Sequence, residues 1–232
     1  MQGLRFRIRG RWAHFRRPET NNTPLTHDFI TKTAMIGLIG AVLGVERPDM
    51  CVLFPTLCTD LLYGVHVAGA VKKQSWAFTL RNPHRQSEQS PRHMEFRRDP
   101  DYTVALCLHG DRSRDTLRRF SEAVRASESC YTPVLGLHNC PAEIEWLGEE
   151  EFTPGSGPYT SSGFVLRTHR PSEEFNFRDF RLGFDRIPTY QDSDWWNLPD
   201  MYREVMYPSA GSAITVIGDH YRSRGGETWC LI

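Results

Sequence analysis

The sequence predicts an α+β fold, and three stretches carry that prediction. Residues 4 to 12 alternate apolar and basic side chains with the period of a strand, and residues 31 to 44 are apolar around most of a helix. Residues 63 to 109 return to strand-like composition ahead of a second, amphipathic helix. With 232 residues, 39% hydrophobic and 24% charged, the chain suits one sizeable core with elaborations. No apolar run approaches membrane-spanning length and the chain opens on an Arg-rich alternating segment instead of a signal peptide, so a cytoplasmic protein without membrane contact is expected.

In the first stretch Leu4, Phe6, Ile8 and Trp12 share one face and Arg5, Arg7, Arg9 and Arg11 the other, which makes a strand with a cationic side. His14, Arg16 and Arg17 extend the basic run into a loop rich in Asn, Thr and Pro. Thr31 then suits an N-cap, with Lys32 and Thr33 where free N–H groups and the positive helix end favour a phosphate. Gly37, Gly40 and Gly44 leave a stripe without side chains along that helix, open to close approach by another backbone.

After an apolar stretch from Cys51 to Leu62, residues 63 to 80 read as one long strand, or as two broken at Lys72-Lys73-Gln74. Asn82 to His93 lacks hydrophobic periodicity and should be a mobile connection. Met94 to Phe96 and Tyr102 to His109 complete a long hairpin over 63 to 109, whose tip carries Arg81, Arg85, Arg92, Arg97 and Arg98. Asp111 or Ser113 can cap the next helix, which turns Leu117, Phe120, Ala123 and Val124 inward and Arg114, Arg118 and Arg125 outward. Glu143 to Leu147 is a strand, which completes a βαββαβ order, that of the ferredoxin-like and RNA-recognition folds. Glu149-Glu-Glu and Thr153 to Pro158 mark a composition shift expected to be a linker. The expected division is therefore a domain over 1–148, with a projecting basic hairpin at about 72–98, and a β-rich C-terminal extension over 149–232 packed on it. That extension should hold short strands at 164–168, 175–184, 214–217 and 228–232, with Trp195-Trp196 in an acidic loop.

A formal net charge of zero conceals two poles. Residues 1–98 hold 15 Lys and Arg against 7 Asp and Glu, whereas residues 99–232 hold 13 against 21. A basic first half suits a polyanion, and an acidic second half suits a protein neighbour or keeps the rest of the surface off that polyanion. Other site signals are weak. The six cysteines show no CxxC and read as free thiols, and Cys107-Leu-His109 with His138-Asn-Cys140 is spaced too narrowly for a usual structural zinc site. Gly155-Ser-Gly157 lacks the remainder of a phosphate-binding loop, and Asp192-Ser-Asp194 that of a calcium loop. No metal or cofactor is expected.

The run from Trp12 through Arg16-Arg17 to Thr23-Pro-Leu-Thr, followed by Thr31 to Gly44, resembles the opening of the CRISPR-associated protein 5 family, the RAMP subunit of type I Cascade complexes, and most of all its type I-B members. The close similarity spans roughly residues 3 to 45. It implies an RRM-like RAMP domain with a thumb-like β-hairpin that caps the 5′ handle of the CRISPR RNA (crRNA). The implied partners are that crRNA, the repeated backbone subunit and the large subunit, with target DNA reached indirectly through the complex. Carried over by position, Thr31, Lys32, Thr33 and Gly37 form the handle-binding helix start, and Arg16 and Arg17, beside His14, the adjacent loop. For the thumb only basic character transfers, to Arg81, Arg85, Arg92 and Arg97.

The type I-C branch of the family cleaves precursor RNA with a Tyr, a Lys and a His, and metal-free cleavage needs such a base, acid and cation. Tyr63, His66 and Lys72 lie close together in this sequence, so a metal-independent endoribonuclease that processes pre-crRNA is the alternative. No Lys-His pair like that of the type I-C branch is present, and Tyr63 and His66 read more simply as satisfied core or edge residues. A non-catalytic RNA-binding subunit is therefore expected. A third reading is a ferredoxin-like protein that binds only proteins or a small ligand. Trp12, His14, Phe15 and Trp76 stand as alternatives for stacking on unpaired bases.

Overall fold

Strand β1 (Gln2–Arg9) forms where the alternation predicts it, in the middle of the main sheet. The computed structural model describes residues 1–20, 22–82, 85–172, 181–192, 199, 201–209 and 212–232, with backbone alone for those of residues 80–89 that it includes. After β1 come β2 (Trp12–Ala13), α1 (Lys32–Leu43), α2 (Met50–Asp60), β3 (Leu61–Val67), β4 (Lys72–Asn82), β5 (Arg85–Arg98), β6 (Asp101–Leu108) and α3 (Arg114–Ala126). The remainder holds β7 (Glu143–Ser161), β8 (Val165–Leu166), β9 (Arg170–Pro171), β10 (Leu182–Tyr190), β11 (Met201–Pro208), β12 (Ile214–Ser223) and β13 (Thr228–Trp229). The main sheet runs β13-β12-β7-β1-β6-β3 with β9 beside β12, and the pairs along it are antiparallel.

Leu4, Phe6 and Ile8 are buried on one face of β1, in the same core as Ile36 and Ile39 of α1 and Leu117 and Phe120 of α3. The ring of Phe6 meets that of Phe120 edge-on at 5.7 Å. Each such side chain contributes roughly 1.5–3 kcal/mol by leaving water. Helix α1 is capped at both ends: Thr31 Oγ1 accepts from the Ala34 N–H at 3.2 Å, and Gly44 takes the left-handed conformation at φ +70°. The apolar stretch after Asp49 forms α2, and a Cβ on Gly40 would sit 2.5 Å from Met50 Sδ, so that glycine lets the two helices approach. At the start of α3 the Ser113 hydroxyl donates to Asp60 at 2.8 Å and makes no cap bond to its own helix.

Of the two readings of 63–80 the broken one holds, with the break at 68–71: β3 pairs with β6 in the main sheet, whereas β4 pairs with β5, which also pairs with β2. Other expectations need correction. The hairpin therefore spans 72–98 alone. Residues 85–93, expected to be a mobile connection, belong to β5, and Arg85 and residues 89–93 pair with β4; backbone pairing along a ribbon needs no hydrophobic repeat. The expected linker after Gly148 is strand as well, because β7 continues through it and pairs with β12. Its glycines serve the ladder: Gly148 takes φ +139° where the register with β1 slips, and Leu147 is left exposed at a bulge. The C-terminal residues thus extend the main sheet, and Ile232 exchanges backbone hydrogen bonds with Tyr63 at the edge of β3. A third sheet, β10-β11-β8, includes a strand, β11, that sequence reading did not mark. Trp195 and Trp196 lie outside the described residues.

Candidate nucleic-acid interface

Six segments meet at the start of α1. They are the loop after β2, with His14, Arg16 and Pro18, the helix face of Thr31, Thr33, Gly37 and Ala41, Phe54 of α2, the root of β5 at Met94, the segment of Val134 and Leu137 ahead of β7, and Pro188 and Gln191 of the extension. Together they line an open cavity of about 580 Å³. A Cβ on Gly37 would find no atom within 4 Å, so this glycine faces open space. Of the expected site residues, His14, Arg16, Thr31, Thr33 and Gly37 come together here. The contribution of the extension was not legible, because nothing local in residues 188–191 records that they return to a helix more than 150 positions earlier.

Other expected contacts are turned to structural work. Arg97, 1% exposed, donates to the carbonyls of Asp28, Lys72, Arg98 and Ala70, so its guanidinium ties the hairpin root to the loop before α1. It is unavailable to a ligand. Arg17 pairs at 3.1 Å with the buried Asp185 of β10, whose carboxylate also faces His27 Nδ1 at 3.0 Å. Burial pushes the Asp185 carboxyl up, but the His27 hydrogen bond and the His27 and Arg17 charges outweigh it and hold the group below the usual carboxylate range. Lys32 is 5% exposed; burial, assisted by the Arg203 charge and opposed by Cys58, brings its amino group down to about 8. The helix tip is therefore presented by Thr33, which is half-buried, with Thr31 buried beside it as the cap and the Lys32 side chain directed inward. His14 is also buried, with Nδ1 2.7 Å from the Glu95 carbonyl and its imidazole lowered by that burial. The side chains of Arg81 and Arg85 lie outside the described residues, whereas Arg92 is half-buried on the hairpin.

The arginine row of β1 does not join this cavity. Arg5 reaches Glu150 and Glu227, Arg7 reaches both oxygens of Asp101, at 2.7 and 2.5 Å, and Arg9 meets Glu143 at 2.9 Å. All of these acids come from the acidic half over 99–232, so much of the charge polarity is cancelled internally by the antiparallel neighbours of β1, β6 and β7.

The hairpin carries an aromatic group at its root. Register places Trp12, Trp76, Met94 and Phe96 on one face of the β2-β5-β4 sheet. Trp76 lies 4.5 Å from Trp12 and 5.4 Å from Phe96, ring centre to ring centre, and is 37% exposed. Phe15, by contrast, is buried.

The residues weighed for nuclease chemistry are separated. Tyr63 is fully buried and donates to the Ile30 carbonyl at 3.0 Å, with burial holding its hydroxyl well above the ordinary range. His66 stacks on Trp229 at 3.4 Å, and burial pushes its imidazole down to about 4. Lys72 is exposed in the hairpin sheet. Among the described residues no helix is long and apolar enough to cross a membrane.

Comparison with known proteins agrees with this architecture. The family model described as CRISPR-associated protein (Cas_Cas5) matches residues 3–208. No curated protein matches the chain significantly. Among solved structures, a chain of a CRISPR RNA-guided surveillance complex is 14% identical, with a TM-score of 0.53, covering 93% of this chain and 91% of that one. A CRISPR protein from Archaeoglobus fulgidus is 12% identical, with a TM-score of 0.59 and coverage of 100% and 99%. A chain of a type III-B Cmr-beta complex bound to cognate target RNA and AMPPnP is 9% identical, with a TM-score of 0.52 and coverage of 92% and 86%. At these identities the likeness is one of fold. With the family model spanning nearly the whole sequence, the chain belongs to the CRISPR-associated protein 5 family.

Proposed function

We propose that this chain is a non-catalytic subunit of a type I CRISPR surveillance complex, of subtype I-B, that binds and caps the 5′ handle of the crRNA. One observation carries the reading: a cavity at an N-terminal helix end where a basic loop, the root of a projecting hairpin and the C-terminal extension all converge. Free backbone N–H groups at a helix start suit a phosphate, and the side-chain-free surface at Gly37 admits a sugar-phosphate backbone close to the helix. The strand order β7-β1-β6-β3, with α1 and α3 on one face, supports reading the domain as ferredoxin-like and RRM-like, a fold that commonly binds unpaired RNA. On this reading the repeated backbone subunit and the large subunit are its protein partners, target DNA is met only through the assembled complex, and the complex works in the cytoplasm.

The test is equilibrium binding of the full chain to a short single-stranded RNA carrying the repeat-derived handle, set against a scrambled RNA over a range of salt. Tighter binding of the handle, weakening steeply with salt as counterions are released, is expected. Equal affinity for the scrambled RNA would remove the handle from the proposal. Incubation with repeat RNA in chelator should leave it intact; products ending in 2′,3′-cyclic phosphate would overturn the non-catalytic assignment.

A further inference from the structure

We infer that Trp76 is a stacking platform for one unpaired base of the bound RNA, with Arg92 on the same hairpin face holding a neighbouring phosphate. This rests on the reading of the chain as an RNA-binding subunit, and it specifies which aromatic side chain meets a base. Of the aromatic residues near the cavity and the hairpin root, Phe15 and Phe96 are buried and Trp12 and Phe78 half-buried, whereas Trp76 keeps 37% of its surface exposed. Its indole belongs to an aromatic group with Trp12 and Phe96 and leaves part of its surface to solvent, where a flat apolar partner can cover it.

The surroundings of Trp76 select the cover. Trp12 and Phe96 brace its ring at 4.5 and 5.4 Å, so little side-chain freedom remains to be lost when a flat partner stacks. Trp76 lies directly opposite Met94, and Met94 lines the cavity at the start of α1. Arg92, opposite Phe78, is one step further along the same face. A strand of RNA leaving the cavity past Met94 therefore meets an indole first and a guanidinium next, the alternation of flat face and cation that binds single-stranded nucleic acid without reading its sequence. A β-ribbon with this face is suited to a base turned out of the RNA stack.

A scan of single abasic substitutions through the handle RNA tests the inference. In the wild-type chain one abasic position should lower affinity roughly five- to 150-fold, the range for one base stacked on an aromatic ring. In Trp76→Ala that position should carry no further penalty, and in Trp76→Phe most of it should persist. A merely structural role would weaken intact and abasic RNAs alike, so a uniform loss in Trp76→Ala overturns the inference. It is equally overturned if RNA affinity is unchanged and only assembly with the protein subunits weakens. Circular dichroism and a thermal midpoint for both variants identify any loss of fold. Absence of salt-sensitive binding by the wild-type chain would instead bring down the reading on which the inference rests.

Discussion

The arginines of β1 and the cavity at the start of α1 look alike in sequence and do opposite things in the fold. Both are basic segments near the N-terminus, the first with no interleaved acid and the second with only Glu19 and Asp28. In β1 the alternation sends Arg5, Arg7 and Arg9 to one face, but antiparallel pairing with β7 and β6 brings Glu150, Asp101 and Glu143 beside them. At the helix start the cavity lining includes no carboxylate among the described residues, and the space in front of Gly37 stays open. Periodicity therefore tells which face a charge takes, while the strand next to it decides whether that charge is available.

Five substitutions sharpen or break this contrast. The largest effect is expected at Arg97, because Arg97→Met leaves buried carbonyls of the hairpin root without a donor. Urea unfolding should show a loss of roughly 3–5 kcal/mol, and a loss under 1 kcal/mol would mean the guanidinium is not the anchor described here. Next is Lys32. Its folded value of about 8 lies below the ordinary 10.5, so the unfolded chain binds the extra proton between those values and stability should rise as pH increases from about 8 to 10.5. Lys32→Met should abolish that rise and be more stable at pH 7, on the order of 2–3 kcal/mol. A wild-type stability that is flat over this interval would place the amino group in water.

Smaller effects fall on binding. Gly37→Leu should fold at least as well as the parent, since its Cβ meets open space and Gly is a poor helix residue, yet it should lower RNA affinity about tenfold by filling the cavity. Unchanged affinity would move the RNA off this helix face. Arg92→Ala should leave the thermal midpoint alone and reduce the slope of log affinity against log salt by about one. Arg7→Ala, on the neutralised row, should leave that slope unchanged; a reduction equal to that of Arg92→Ala would erase the distinction between the two regions.

Much of the fold was legible because local patterns recorded it. The alternation in β1, the capped helix after Thr31 and the apolar face of α3 all appear where periodicity and capping residues mark them. Residues 85–93 and 149–158 were misread for a single reason: a hairpin projecting from the core and a strand crossing a bulge need no hydrophobic repeat, so polar and Gly-rich composition does not distinguish them from loops. In the site, Thr31, Thr33 and Gly37 were legible from the helix alone. The inward turn of Lys32 and the anchoring of Arg17 and Arg97 were not, since the partners are backbone carbonyls and an Asp185 lying 168 positions away from Arg17.

What the sequence by itself determined is the set of elements whose own residues satisfy them: a period-two strand, two amphipathic or apolar helices, a basic ribbon, and the family motif spread across the first of these. What only the tertiary structure decided is which charges remain open to a ligand. Charge and exposure belong to different levels, because an arginine is cationic wherever it lies, whereas its freedom depends on which carboxylate or carbonyl the fold places within about 3 Å of it.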